Sequence, residues 1–181
     1  MGEKKESDIL YQISNYVFDN EYIDTGVALL KENVDWSIVY DVTITSNPTS
    51  GTGATMSFLC IRQSNTYQLR IGKYAGSSGV ILYIYMGNTN YQSTNNMGTG
   101  RFRFALIRPQ GQGLTIYIKK NDEAVTTKTI NNNFVSKTET LTLGASWEAP
   151  QYLTKGTLNE VKVYSRILTT DEINEFLGVT E

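Results

Sequence analysis

The stretch Trp36-Ser37-Ile38-Val39-Tyr40-Asp41-Val42-Thr43-Ile44 carries a large apolar side chain at every second position. Successive side chains of a strand point to opposite faces, so Trp36, Ile38, Tyr40, Val42 and Ile44 share one face, while Ser37, Asp41 and Thr43 lie on the other. A strand that is apolar on one side must bury that side against another layer. Similar segments, rich in Val, Ile, Thr, Tyr and Phe, recur at 11–18, 21–24, 54–62, 67–73, 80–86, 101–108, 114–119, 124–130, 140–143 and 157–164. Turn chemistry separates them, with Gly, Asn, Ser and Asp clustered at 47–51, 76–79, 111–113 and 121–122. So many short strands exceed one open sheet, and the expected fold is all-β: a two-sheet antiparallel β-sandwich of the jelly-roll kind.

One short C-terminal helix completes this reading. Thr169-Thr170-Asp171-Glu172 has the form of a capping box, Ile173, Phe176 and Leu177 make an apolar stripe, and Gly178 stands where a C-terminal cap belongs. The helix is expected across an end of the sandwich. Its acids Asp171, Glu172 and Glu175 then face solvent, where the helix dipole favours negative charge in the first turn. The longest connection, 87–100, is rich in Asn, Thr and Gly, contains Tyr91, and reads as a loop of the length that often carries function.

Composition narrows the chemistry. With 181 residues, 40% of them hydrophobic and 19% charged, the chain supports one core, and it divides into a flexible segment 1–9 and a single domain 10–181. No apolar run approaches the roughly 20 residues of a bilayer-spanning helix, so membrane insertion is not expected. Sixteen basic residues against 18 acidic ones give a net charge of -2, and the basic residues are dispersed. Nucleic acid, which demands a concentrated basic stripe, is therefore not an expected partner. Cys60, the only cysteine, has no disulfide partner, and its neighbours Phe58, Leu59 and Ile61 suggest a buried thiol. There is no histidine, which excludes Ser-His-Asp, Cys-His and His-ligated zinc chemistry within this chain. Residues 1–8 are charged and lack the apolar core of a signal peptide, so either export takes another route or the sequence belongs to a longer chain.

Alternation also nominates a ligand surface. If Leu69 and Ile71 point inward, Gln68 and Arg70 point outward; Leu82, Ile84 and Met86 inward leave Tyr83 and Tyr85 outward. By the same rule Phe102, Phe104 and Leu106 leave Arg101 and Arg103 outward, and Leu114, Ile116 and Ile118 leave Tyr117 outward. Were these strands to share one sheet, its outer face would be a tyrosine and arginine surface. Such a surface suits sugars, because tyrosine rings stack on the apolar faces of pyranoses while Arg and Gln donate to hydroxyls. The same residues also serve as ordinary exposed strand positions, and that reading stays open. Trp147 and Tyr152, in the segment Trp147-Glu148-Ala149-Pro150-Gln151-Tyr152, fall outside any alternation and make a second candidate contact.

Two stretches resemble the laminin-G-like domains of the concanavalin A-like lectin and glucanase superfamily. The first is Tyr22-Ile23-Asp24-Thr25-Gly26 followed by Trp36-Ser37-Ile38. The second is Leu141-Thr142-Leu143-Gly144-Ala145, then the run from Gly156 through Tyr164, Ser165 and Arg166 to Leu168, then the helix start at 169–173. Between about 48 and 136 the similarity is one of strand character only. The resemblance implies a laminin-G-like sandwich and a binding module, with carbohydrate on a cell or polymer surface as the expected ligand. An alternative is a structural or adhesive module of a phage virion or tail, or of a bacterial surface assembly. Either places the protein outside the cell or on a virion, facing a glycan or protein surface, alone, as a homo-oligomer or within a larger assembly.

Glucanases of that superfamily carry a Glu-x-Asp-x-(x)-Glu strand motif, which this sequence lacks; Asp19 and Glu21 could share a face, but Asp24 falls on the other. No catalytic residue and no cofactor are therefore assigned. Some laminin-G-like relatives bind calcium at the rim, yet only the scattered Asp19, Asn20, Asp24 and Asn159 are available here. Calcium takes at least about six oxygen ligands, and no metal site is assigned.

Overall fold

A computed structural model describes residues 8–19, 21–31, 33–48, 55–63, 66–76, 79–86, 89–93, 97–131, 138–145 and 154–179. Two antiparallel six-stranded sheets face one another. The first, sheet A, contains β1 (Ile9–Phe18), β3 (Trp36–Ile44), β8 (Gly100–Arg108), β9 (Leu114–Lys120), β10 (Thr126–Ile130) and β12 (Gly156–Tyr164), in the order β1-β12-β3-β8-β9-β10. Sheet B contains β2 (Ile23–Asp24), β4 (Thr55–Gln63), β5 (Thr66–Gly76), β6 (Gly79–Met86), β7 (Thr89–Gln92) and β11 (Thr142–Leu143), in the order β2-β11-β4-β5-β6-β7. The sandwich read from alternation is the fold observed.

Register explains the core. The inward residues of β3 are flanked on both sides by apolar partners, Ile38 by Leu106 and Val163, Tyr40 by Phe104 and Val161, and Val42 by Phe102 and Leu158. Phe58 from sheet B meets Phe102 and Phe104 at centroid distances of 5.9 and 5.8 Å, which knits the two layers together. The Tyr40 hydroxyl crosses the core to donate to the Phe58 carbonyl at 3.0 Å, and complete burial drives its pKa upward. Cys60 is buried as expected.

A register shift between Leu158 and Glu160 breaks the pairing of β12 with β3. This bulge lets Asn159 and Glu160 both lie outward while Leu158, Val161 and Val163 are all buried in the core. Pairing of β1 along β12, from Ile9 opposite Tyr164 to Phe18 opposite Gly156, brings both ends of the domain into one sheet.

Two elements depart from the sequence reading. Residues 89–92, read as loop, form β7, which pairs with β6 through its backbone; Tyr91 packs on the core and Lys128 sits 4.7 Å from its ring centre. The helix α1 (Thr170–Leu177) does not lie across an end of the sandwich. Ile173 and Leu177 instead pack on the outer face of sheet A, against Val39, Ala105 and Ile107. Register creates that apolar patch by setting Val39 opposite Ala105 on the neighbouring strand. The expected capping box forms at Thr169 and Glu172, and Gly178 takes the left-handed conformation at φ 62°. No helix among the described residues is long and apolar enough to cross a membrane.

Candidate functional site

The outward residues of sheet B form lateral rows. Thr142, Cys60, Arg70 and Tyr85 lie opposite one another across four strands, and Ser57, Gly72, Tyr83 and Gln92 make the next row. The glycine decides the geometry: a Cβ on Gly72 would stand 2.6 Å from the Tyr83 hydroxyl and 2.1 Å from the Met56 carbonyl. With no side chain there, Tyr83 lies across β5 and brings its hydroxyl within 3.5 Å of the Met56 carbonyl and 3.4 Å of Ser57 Oγ. Arg70 donates from Nε to Ser57 Oγ at 2.7 Å, and its guanidinium sits 4.9 Å from the centre of the Tyr83 ring. Tyr85 meets Tyr83 edge to face at 5.3 Å.

This packing separates roles that alternation treats alike. Tyr83 is 1% exposed and Arg70 5% exposed, so both form the floor of the face, whereas Tyr85 and Gln68 stay partly exposed. Trp147 and Tyr152 lie outside the described residues, but both ends of their segment are anchored beside this face. Gly144 N donates to Phe58 O at 2.8 Å, Thr154 N donates to Gly144 O at 2.7 Å, and Thr154 Oγ1 donates to Ser57 O at 2.6 Å.

Arg101, Arg103 and Tyr117 belong to the other sheet. The single tyrosine and arginine surface imagined from alternation is thus two surfaces on opposite sides of the sandwich, and the helix occupies the second. Arg103 donates to the Leu177 carbonyl at 2.6 Å and Lys119 to the Gly178 carbonyl at 2.9 Å. Both satisfy carbonyls that a helix C-terminus leaves without intrahelical partners. Tyr117 packs against the cluster under α1. Arg101 forks onto Asp41, with Nε at 2.9 and 3.1 Å from the two carboxylate oxygens and Nη2 at 2.5 Å, and Asp41 also accepts from Asn159 Nδ2 at 2.8 Å.

Beside α1, over β12 and β1, the same face holds a trough of about 510 Å³. Three ion pairs line it: Asp41–Arg101, Glu160–Lys162 at 2.5 Å, and Glu172–Arg166 at 2.6 Å. The Arg166 guanidinium, with the capping bonds of Thr169, holds the Glu172 carboxyl down to about 2. That is opposite to the raised carboxyl a glycosidase acid needs. Alternation could not reveal this arrangement, because the bulge at Asn159 is what turns both Asn159 and Glu160 outward.

Two of the scattered oxygen ligands considered for calcium have internal uses: Asp24 Oδ1 accepts from Gly26 N at 3.0 Å, and Asn159 bonds Asp41 and Thr43. Among the described residues there is no group of three or more acidic or cysteine side chains placed to hold a metal ion.

A family model described as the concanavalin A-like lectin/glucanases superfamily matches residues 19–174. No curated protein matches the sequence. Similar solved structures include the Ruminococcus gnavus IT-sialidase CBM40 bound to α2,3 sialyllactose, at 19% identity and a TM-score of 0.56, covering 95% of this chain and 98% of that one. The NanB sialidase of Streptococcus pneumoniae aligns at 14% identity and a TM-score of 0.61, over 93% of this chain and 28% of its own. A leech intramolecular trans-sialidase aligns at 19% identity and a TM-score of 0.57, over 96% of this chain and 28% of its own. This chain therefore spans just over a quarter of the length of those two sialidases. At such identities the likeness is one of fold. The family match covers most of the sandwich, from β2 through β12, and the chain belongs to the concanavalin A-like lectin/glucanases superfamily.

Proposed function

We propose that this chain is a non-catalytic carbohydrate-binding module whose glycan docks on the outer side of sheet B. The observation that carries this reading is the pair of adjacent rows holding Arg70 with Tyr85 and Gly72 with Tyr83, flanked by the anchored ends of the segment bearing Trp147 and Tyr152. Helix α1 lies over β3 and β8 on the opposite side, and Arg103 and Tyr117 serve that helix. Sheet B retains a partly exposed tyrosine, a glutamine and a cation held beneath them. A sugar stacked on Tyr85 would lie over the buried Arg70, whose positive charge would favour a carboxylated sugar by long-range attraction rather than by direct contact.

A sialylated glycan is accordingly the finer proposal. The R. gnavus module, which aligns over nearly its whole length, is bound to sialyllactose. The non-catalytic part of the reading is supported by the carboxylates of the trough. Retaining hydrolysis needs two carboxyls about 5 to 5.5 Å apart with one protonated, while Asp41 is locked by Arg101 and Asn159 and Glu172 is held as an anion by Arg166.

Calorimetric titration with α2,3-sialyllactose and with lactose is the test. Sialyllactose should bind more tightly than lactose, and Tyr85→Ala should weaken that binding at least tenfold without lowering the melting temperature appreciably. Equal binding of the two sugars would remove the sialic acid proposal, and sialyllactose affinity unchanged in Tyr85→Ala would remove sheet B as the site.

A further inference from the structure

The trough beside α1 is a second surface with the chemistry of a ligand site. We infer that it binds a neutral pyranose, independently of the sheet B face. Its shape follows from where the helix sits: α1 rests on Val39, Ala105 and Ile107 of β3 and β8, and stands as a wall beside the outer face of β12 and β1. The volume of this open trough, about 510 Å³, falls within the roughly 300–1,000 Å³ of small-molecule sites.

Its polar groups are held in place before any ligand arrives. Asp41 is 4% exposed, and it grips Arg101 through Nε and Nη2 while Asn159 grips Asp41. The Nη1 amino group of Arg101 takes no part in that fork, and the side chain is 50% exposed. Glu160 and Lys162 offer an acceptor and a donor side by side, at 36% and 28% exposure. Tyr164 and Phe176 supply aromatic surface for the C–H face of a sugar ring.

Charge selects the class of ligand. Each cation in the lining already faces a carboxylate, and Glu175, close enough to Lys162 to raise its pKa, adds one carboxylate more. An anionic sugar would therefore meet a net negative wall. An uncharged polyol meets alternating donors and acceptors and displaces none of the ion pairs.

The test is an amide-resolved NMR titration of the full chain with methyl α-glucoside, methyl α-mannoside and methyl β-galactoside, and separately with sialic acid. At least one neutral glycoside should shift the amides of Gln12, Glu160, Lys162 and Glu175. Sialic acid should leave them in place. Lys162→Ala, at a half-buried strand position, should reduce that affinity at least fivefold, and Phe176→Ala gives a second reading from the opposite wall. Neutral glycosides that leave those amides unmoved, or shifts there that survive both substitutions, would overturn the inference. Because the amides of β6 and β7 report the sheet B face in the same spectra, failure of one site is read separately from failure of the other.

Discussion

Gly72 and Lys73 are neighbours on β5 that show what single residues decide. Gly72→Ala should force Tyr83 off β5 and loosen Arg70, costing about 1–3 kcal/mol as an overpacking change, measurable by urea denaturation. Unchanged stability would mean that Tyr83 does not fill the slot. Lys73 points the other way, into the rim of the core, fully buried, where its ammonium bonds Asn47 Oδ1 at 2.9 Å and the Gly98 carbonyl and lies 5.0 Å from the Phe102 ring centre. Burial, helped by Lys120, pushes its pKa down from 10.5 to about 8. The unfolded chain then binds more protons than the folded one between those values, so the penalty of the buried charge is full below pH 8 and is relieved as pH rises toward 10.5. Relative to Lys73→Met, the native chain should gain stability across that window; parallel curves would contradict the buried-ammonium account. Alternation places Arg70 outward and Lys73 inward, but it cannot say that a glycine lets Tyr83 cover Arg70, or that a carbonyl from the β7–β8 connection meets the amine.

Among the elements, α1 was readable and its seat was not. Thr169, Glu172 and Gly178 spell out its ends in local chemistry. Its docking patch draws on Val39 and Ala105, which are far apart in sequence and adjacent only through the pairing of β3 with β8. Arg166 ties the helix down, with Nη1 and Nη2 at 2.8 and 2.6 Å from the two oxygens of Glu172 and Nε at 3.4 Å from Asp8. Since the Glu172 carboxyl is lowered from 4.5 to about 2 in the folded chain, its contribution to stability is complete above pH 4.5 and disappears as pH falls through 2. Arg166→Leu should flatten that acid limb and cost about 1 kcal/mol or less near neutrality, checked by thermal melts between pH 2 and 6. An acid limb as steep as the native one would show that the pair does not hold the helix. In sheet B, β7 escaped alternation because an edge strand of Asn, Thr and Gln can pair through backbone bonds without an apolar period.

At the scale of the molecule, period-two patterns tell inside from outside but do not say which sheet a strand joins. β8 and β9 follow β7 in sequence yet sit in the opposite sheet, and that crossing puts Arg101, Arg103 and Tyr117 on one side and Arg70, Tyr83 and Tyr85 on the other. The closing of the sandwich, by contrast, is written in the run from Gly156 to Leu168, whose strand, Arg166 and helix start occur in the order the family resemblance implies. The two-sided arrangement makes a sialoglycan face on sheet B and a neutral sugar trough on sheet A compatible within one module. A crystal structure of the full chain grown with α2,3-sialyllactose tests the central proposal most directly. The account predicts sugar density stacked on Tyr85 on the outer side of sheet B, above Arg70 and Tyr83. Density for the sialic acid anywhere else on the chain, or none at a saturating concentration, would contradict it.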